Sequence, residues 1–108
     1  EWGLVEMTGD AVPGDADVFV AFRQDGRAAG SGGCNRFTGS YTQGPGDLAF
    51  SPLAATRMAC PEPIMARESA FFAAMEEVAS VAERSRTTLV LADADGRPVL
   101  RFRRRDRD

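Results

Sequence analysis

The 108-residue chain contains no histidine and no lysine, so all 13 of its basic residues are arginine. Without histidine it has no Ser-His-Asp triad, no Cys-His pair and no histidine-bound metal site. Without lysine it has neither a Schiff-base amine nor the lysine of a phosphate-binding P-loop. We therefore expect a protein that is not an enzyme and that uses no cofactor and no metal ion.

The sequence also has no long apolar run and no strong excess of charge. No segment approaches the roughly 18 apolar residues that a membrane-spanning helix requires. The net charge of −3 gives no general attraction to nucleic acid or to an anionic membrane. The chain begins at Glu1-Trp2 without the charged and apolar regions of a secretory signal. It is therefore either cytosolic or a mature or trimmed chain, and its first residues do not decide between these.

Most of the chain consists of short segments with strand periodicity, separated by Gly, Asp and Pro. The predicted strands cover residues 2–7, 18–22, 27–31, 36–42, 48–50, 87–91 and 98–103. Asp25-Gly26 and Asp95-Gly96 are typical of hairpin turns. We predict Arg104 to Asp108 to be a polar tail. Six or seven short strands joined by hairpin turns indicate an antiparallel sheet.

A single amphipathic helix is predicted from about Ile64 to Glu83, after a break at Pro61 and Pro63. Its apolar stripe consists of Ile64, Phe71, Met75, Val78 and Ala82. We expect this stripe, together with Phe72, to belong to the core and not to a ligand pocket. The fold class is thus α+β and β-rich, in one domain over residues 1–108, with a sheet that curls around the helix or around its own core.

The run from Gly30 to Tyr41 is the most unusual part of the sequence. A glycine-rich bend appears there directly before Cys34 and a predicted strand. The segment around Ser31 resembles a Gly-x-Ser-x-Gly nucleophile elbow, but its first glycine is missing and no histidine is available to activate the serine. We therefore expect a structural bend and not a catalytic serine.

Cys34 and Cys60 are the two cysteines, 26 positions apart. They form a disulfide, remain as two buried thiols, or include a reactive thiol. The spacing and the lack of histidine argue against zinc and thioredoxin-like chemistry. An oxidising compartment favours the disulfide, which would stabilise the fold by roughly 3–4 kcal/mol, whereas the cytosol favours thiols.

Two further segments suggest ligands only weakly. Asp93-x-Asp95-Gly96 resembles the start of a calcium loop, but the later glutamate is missing and a strand follows at once, so we expect a hairpin turn. Five arginines lie between Arg101 and Arg107, but Asp106 and Asp108 dilute their charge and no aromatic stacking surface accompanies them. We expect a solvated terminal strand and no nucleic-acid site.

Two motifs together resemble the signature of the META domain family, the family of the heat-shock protein HslJ. They are Gly33-Cys34-Asn35-Arg36-Phe37-Thr38-Gly39-Ser40-Tyr41 and Leu53-Ala54-Ala55-Thr56-Arg57-Met58-Ala59-Cys60-Pro61. The opening Trp2-x-Leu4, the helix and the last two strands also follow the order that the family shows. The resemblance covers Trp2 to about Phe102.

The resemblance implies a strongly curved, barrel-like antiparallel sheet with a helix packed at one side. It also implies a bacterial envelope or secreted location, periplasmic or anchored to the outer membrane, often as a lipoprotein with a lipid anchor upstream. The family's molecular role is mostly unestablished and is linked to heat shock and other stress. We therefore expect a monomeric, non-catalytic accessory module that binds an unknown envelope protein or component. The alternatives are a small secreted hydrolase inhibitor and a carrier of a small apolar ligand.

Four polar residues of the paired motifs have no obvious core role: Asn35, Arg36, Thr56 and Arg57. One interpretation is that Asn35 and Thr56 hydrogen-bond the irregular backbone of their own two loops. The other is that all four residues form a surface that binds a partner.

Overall fold

The computed structural model describes residues 1–105, which form ten antiparallel strands and one α-helix. The strands are β1 Trp2–Met7, β2 Asp10–Ala11, β3 Val18–Phe22, β4 Arg27–Gly32, β5 Arg36–Gly44, β6 Asp47–Phe50, β7 Ala54–Ala55, β8 Ser80–Arg84, β9 Thr88–Ala92 and β10 Pro98–Arg104. The helix, α1, spans Glu62–Glu77. Arg107 and the end of the predicted polar tail lie outside the described residues.

Eight of the strands close into a barrel. The order of neighbours is β1, β3, β4, β5, β6, β8, β9 and β10, and β10 pairs again with β1. The two remaining strands are short: β2 pairs with β1 and β7 pairs with β5. Closure satisfies the backbone groups that an open sheet would leave unpaired at its edges. The predicted barrel-like antiparallel fold with one helix is confirmed, with more strands than the six or seven predicted.

Side chains from the strands and the helix fill the middle of the barrel. Alternate residues of each strand face inward, and Val20, Phe37 and Phe102 are almost completely buried there. From α1, Phe71 enters this core, with ring centroids 5.9 Å from Phe37 and 6.5 Å from Phe102. Met75 is also fully buried. The middle of the barrel, around Phe37, Phe71 and Phe102, is therefore packed.

The helix begins as predicted but ends six residues early. Its first residue follows Pro61, which matches the preference of proline for helix starts. Val78 already has an extended backbone, and the following residues form β8, so the helix predicted to Glu83 is too long. The helical spacing of apolar residues does continue to Ala82. These residues form a strand instead, because β8 pairs with both β6 and β9 and thereby completes the barrel wall.

Two other predicted boundaries also change through pairing. The segments before Val18 and before Cys60, where no strand is predicted, each contain a two-residue strand, β2 and β7. Arg104, predicted as the start of the tail, belongs to β10 because its backbone N–H donates to the Thr87 carbonyl across 2.9 Å. β7 pairs with β5 and Arg104 bonds to Thr87, each well separated along the chain, so the local composition gives no signal for these pairings. β2 differs, because it pairs with the adjacent β1 across the turn at Thr8-Gly9.

The two ends of the barrel differ. At one end, where β5 begins, α1 packs beneath the bend that joins β4 to β5. At the other end lie the β3–β4, β5–β6 and β8–β9 hairpins, together with the start of β1. We call these the helix end and the open end of the barrel.

Candidate functional site

The two signature motifs meet at the helix end of the barrel. The first forms the bend between β4 and β5, and the second forms β7 and the segment leading to α1. Three links join them. A disulfide connects Cys34 to Cys60, whose Cα atoms are 6.1 Å apart. Ala55 of β7 pairs with Phe37 of β5, and the Thr56 N–H donates to the Arg36 carbonyl across 3.0 Å.

The bend requires its glycines for two different reasons. Gly33 has a φ of +110°, which side-chain-bearing residues rarely adopt. Position 32 has no space for a side chain, because a Cβ on Gly32 would lie 2.7 Å from Cγ of Glu68. Ser31 lies within β4, and its hydroxyl accepts a hydrogen bond from the Gly33 N–H across 3.0 Å. Ser31 is thus part of the bend, and the strand-turn-helix setting of a nucleophile elbow is not found around it.

A buried carboxylate lies directly beneath the bend. Glu68 of α1 is 3% exposed. Its Oε2 accepts the backbone N–H of Cys34 across 3.0 Å and also that of Asn35, and its Oε1 accepts the Asn35 side-chain amide across 2.7 Å. No cation within residues 1–105 forms an ion pair with it. Hydrogen bonds alone therefore compensate for the removal of this polar group from water.

Asn35 connects the carboxylate to the second motif. Its Oδ1 accepts the Thr56 hydroxyl across 2.8 Å and the Met58 N–H across 2.6 Å. Its amide nitrogen donates to Glu68 and to the Met58 carbonyl, the latter across 3.3 Å. The Thr56 hydroxyl in turn accepts the Arg36 N–H across 3.2 Å. The Asn35 side chain is therefore fully used inside the protein, and so is the Thr56 hydroxyl.

The two motif arginines and Met58 are exposed to solvent. Arg36 and Arg57 are exposed and form no side-chain hydrogen bond or ion pair with any residue from 1 to 105. Met58 is 56% exposed, unusually high for a large apolar side chain. We call Arg36, Arg57 and Met58 the exposed motif face. The four residues considered for partner binding thus lie together but divide: Asn35 and Thr56 hold the loops, and the two arginines face outward.

Comparison with known proteins agrees with this arrangement. The profile of the META domain family matches residues 1–106. The chain belongs to the META domain family.

Several solved structures have a fold similar to that of this META domain. A protein solved by NMR has a TM-score of 0.69 and 27% identity, over 94% of this chain and 86% of that one. An NMR structure of a protein from Burkholderia xenovorans has a TM-score of 0.69 and 32% identity, over 98% of this chain and 78% of that one.

A crystal structure of a DUF4847 family protein from Bacteroides vulgatus ATCC 8482 has a TM-score of 0.67 and 15% identity, over 86% of this chain and 62% of that one. At this identity the likeness shows the fold alone. No curated protein matches the chain.

Glu68 is the central residue of the site that the sequence analysis missed. It lies four residues after Ile64 and three before Phe71, so it occupies the apolar stripe of α1. A carboxylate at such a position must find hydrogen-bond donors in the interior. That spacing is the sequence signal that could have identified it.

The weaker ligand candidates have ordinary structural roles. Asp93 Oδ1 accepts the N–H groups of Asp95 and Arg97, so the predicted hairpin turn is confirmed. Within residues 1–105 no cluster of three or more His, Cys, Asp or Glu side chains could hold a metal ion. The same residues contain no helix with the length and apolar character that crossing a membrane demands.

Two of the C-terminal arginines form ion pairs within the domain. Arg101 pairs with Glu6 at 3.4 Å and Arg105 pairs with Glu1 at 3.1 Å. The Arg105 guanidinium also lies 5.2 Å from the centre of the Phe19 ring. These contacts hold β10 and Arg105 against the N-terminal strand region and β3.

Proposed function

We propose that this META domain is a non-catalytic binding module that uses the exposed motif face to recognise a protein partner. We place it in the bacterial cell envelope or in a secreted protein, as a monomer that acts in a stress response without a cofactor. The observation that carries the proposal is the contrast between the two sides of the paired motifs. Every polar group on the inner side is paired, and the outward arginines and methionine are not.

Three kinds of link hold the exposed motif face in place. The disulfide, the β5–β7 pairing and the bonds of Asn35 to Glu68 fix the loop from both sides. A loop held in this way loses little conformational freedom when a partner binds, so more of the contact energy appears as affinity.

The chemistry of the face suggests the class of partner. Arginine and methionine are enriched at protein–protein interfaces, where arginine forms forked bonds to carboxylates and methionine adapts to apolar pockets. Arg36 lies beside Thr56, whose N–H donates to the Arg36 carbonyl, and Arg57 and Met58 directly follow Thr56 in the chain. We therefore propose a protein partner with acidic groups around a small apolar pocket.

The disulfide and the family support the proposed location. Disulfides persist in oxidising compartments such as the periplasm and the extracellular space. Cys34 and Cys60 are joined, and residues 1–105 contain no free cysteine. An envelope location would follow from a signal or lipid anchor upstream of this domain.

Site-specific photo-crosslinking in the envelope of the producing bacterium tests the binding surface. A photoreactive residue at position 58 should give a defined crosslinked species, and the same residue at position 94, on the exposed β9–β10 turn, should not. The Arg36→Ser/Arg57→Ser variant should lose the species, whereas Arg97→Ser on that turn should keep it. Equal crosslinking at positions 58 and 94, or none at 58, would contradict the proposal.

A further inference from the structure

A cavity of about 240 Å³ opens at the end of the barrel that α1 does not cover. Residues from β1, β3, β5, β6, β8 and β9 line it. Those that determine its chemistry are Trp2, Phe22, Tyr41, Gln43, Arg84 and Leu89. We call this space the open-end cavity.

The strand register turns these side chains inward. Residues paired across neighbouring strands lie on the same face of a sheet. Trp2 pairs with Val20, which is fully buried in the core, and Arg84 pairs with Leu89, which is 4% exposed. A bulge between Val81 and Glu83 shifts the register of β8, and this shift places Arg84 on the inner face. The guanidinium thus stands at the mouth of an apolar barrel.

One wall of the open-end cavity is aromatic and preformed. Phe22 and Tyr41 meet edge to face, with ring centroids 5.1 Å apart. The Tyr41 hydroxyl donates to the Arg23 carbonyl across 2.9 Å, which fixes the orientation of its ring. Trp2, Phe22 and Tyr41 are only partly buried although they pack against the core. An apolar group that entered the cavity would cover their remaining exposed surface.

The polar part of the cavity is cationic. The Arg84 side chain forms no hydrogen bond or ion pair with any residue between 1 and 105. The amide of Gln43 lies on the same cavity wall. A guanidinium presents a planar fork of donors that matches a carboxylate, and the surrounding apolar surface strengthens such a bond.

We propose that the open-end cavity binds a small organic acid with one aromatic ring or a comparably small apolar body. The carboxylate would pair with Arg84, and the body would contact Trp2, Phe22 and Tyr41. The cavity volume fits this size, since a dry protein cavity of about 150 Å³ accepts benzene and drug-sized ligands require roughly 300 Å³ or more. This site does not depend on the exposed motif face, which lies at the opposite end of β5.

Trp2 is the single tryptophan of the chain and provides the signal for the test. The purified domain is titrated with 3-phenylpropionate, with the neutral 3-phenylpropanamide and with acetate, and Trp2 fluorescence is followed. We expect a saturable change with 3-phenylpropionate. Binding should be about tenfold weaker or more with the amide, which lacks the charge, and with acetate, which lacks the ring.

Two exposed arginines of the β8–β9 region provide the matched variants. Arg84→Gln should weaken binding of 3-phenylpropionate by about tenfold or more, whereas Arg86→Gln, outside the cavity lining, should not change it. Amide and ring NMR shifts should move at Trp2 and Tyr41. The proposal is overturned if no probe gives a saturable change, if acid and amide bind equally, or if both variants behave alike. It is also overturned if the NMR shifts map to the exposed motif face.

Discussion

The side-chain amide of Asn35 donates to the carboxylate of Glu68 across 2.7 Å, although the two residues are 33 positions apart. Both side chains are buried, and each also bonds backbone groups of the loops around them. This pair joins the first signature motif to the helix, and Asn35 continues the connection to the second motif. The asparagine of the motif thus organises the site from within, and the arginines beside it face outward.

Replacing the Thr56 hydroxyl by a methyl group should loosen the second motif. Thr56→Val removes the donor to Asn35 Oδ1 and the acceptor of the Arg36 N–H. We expect a loss of about 1 kcal/mol in the free energy of unfolding, measured by urea denaturation. Thr42→Val, at an exposed position of β5, is the control and should stay within about 0.5 kcal/mol of the parent. Equal effects of the two variants would show that the Thr56 bonds contribute nothing.

Adding one methyl group at Gly32 should disturb the buried carboxylate. The new Cβ would lie 2.7 Å from Cγ and 2.8 Å from Oε2 of Glu68. We expect Gly32→Ala to lower the free energy of unfolding by about 1–3 kcal/mol, since the contacts must move apart. Gly14→Ala, where a Cβ meets nothing within 4 Å, should be neutral. A stability for Gly32→Ala equal to that of the control would mean that the close packing of Glu68 against the bend is absent in solution.

How far the sequence predicts this fold depends on whether the signal is local. Turn residues such as Asp25-Gly26 and the proline before α1 identify hairpins and the helix start, because those conformations depend on adjacent residues. The end of α1 depends on the pairing of β8 with β9 and with β6, and β6 lies before the helix, far from β8 in the sequence. The side-chain period alone therefore extended the helix too far.

The candidate site, too, is only partly predictable from the sequence. The two motifs and their cysteines are visible in the sequence, and the structure joins Cys34 to Cys60. Glu68 was overlooked because its environment is set by a loop more than 30 positions before it. The position of Arg84 in the open-end cavity depends on the bulge in β8, and no local sequence pattern predicts that bulge.

Removing the disulfide should weaken the domain without preventing its folding. The bridge closes a loop with a sequence separation of 26, for which chain entropy gives a stabilisation of roughly 3–4 kcal/mol. The free energy of unfolding of the Cys34→Ser/Cys60→Ser variant, measured in urea, should be lower by about this amount. Its circular dichroism spectrum should still be that of the folded barrel, because neither cysteine belongs to the hydrophobic core.

The intact mass of the unsubstituted protein, purified without reductant, checks the bridge itself. The mass should be about 2 Da below that of the dithiol form, since a disulfide contains two fewer hydrogen atoms, and the protein should resist alkylation. Two alkylated thiols in protein made under oxidising conditions would contradict both the bridge and the proposed envelope location.

Residues 80–84 should behave as a strand in solution. The Val81 N–H donates to the Gly46 carbonyl across 3.0 Å, and Ser80 pairs with Ala92. We expect slow amide exchange at Val81 and cross-strand nuclear Overhauser effects between Ser80 and Ala92. Strong sequential amide contacts from Val78 through Glu83 would instead indicate that α1 continues as its apolar period suggests.

A double-mutant cycle on Asn35 and Glu68 tests the organisation of the site most directly. Asn35→Ala, Glu68→Ala and the double variant are unfolded in urea, and the coupling energy is taken from the four unfolding free energies. Because each single change leaves a buried polar partner unsatisfied, we predict a coupling of about 1–3 kcal/mol. The pair Asn35→Ala and Glu77→Ala, with an exposed glutamate of the same helix, should be additive within about 0.5 kcal/mol. A coupling for Asn35 and Glu68 no larger than that of the control pair would contradict the account.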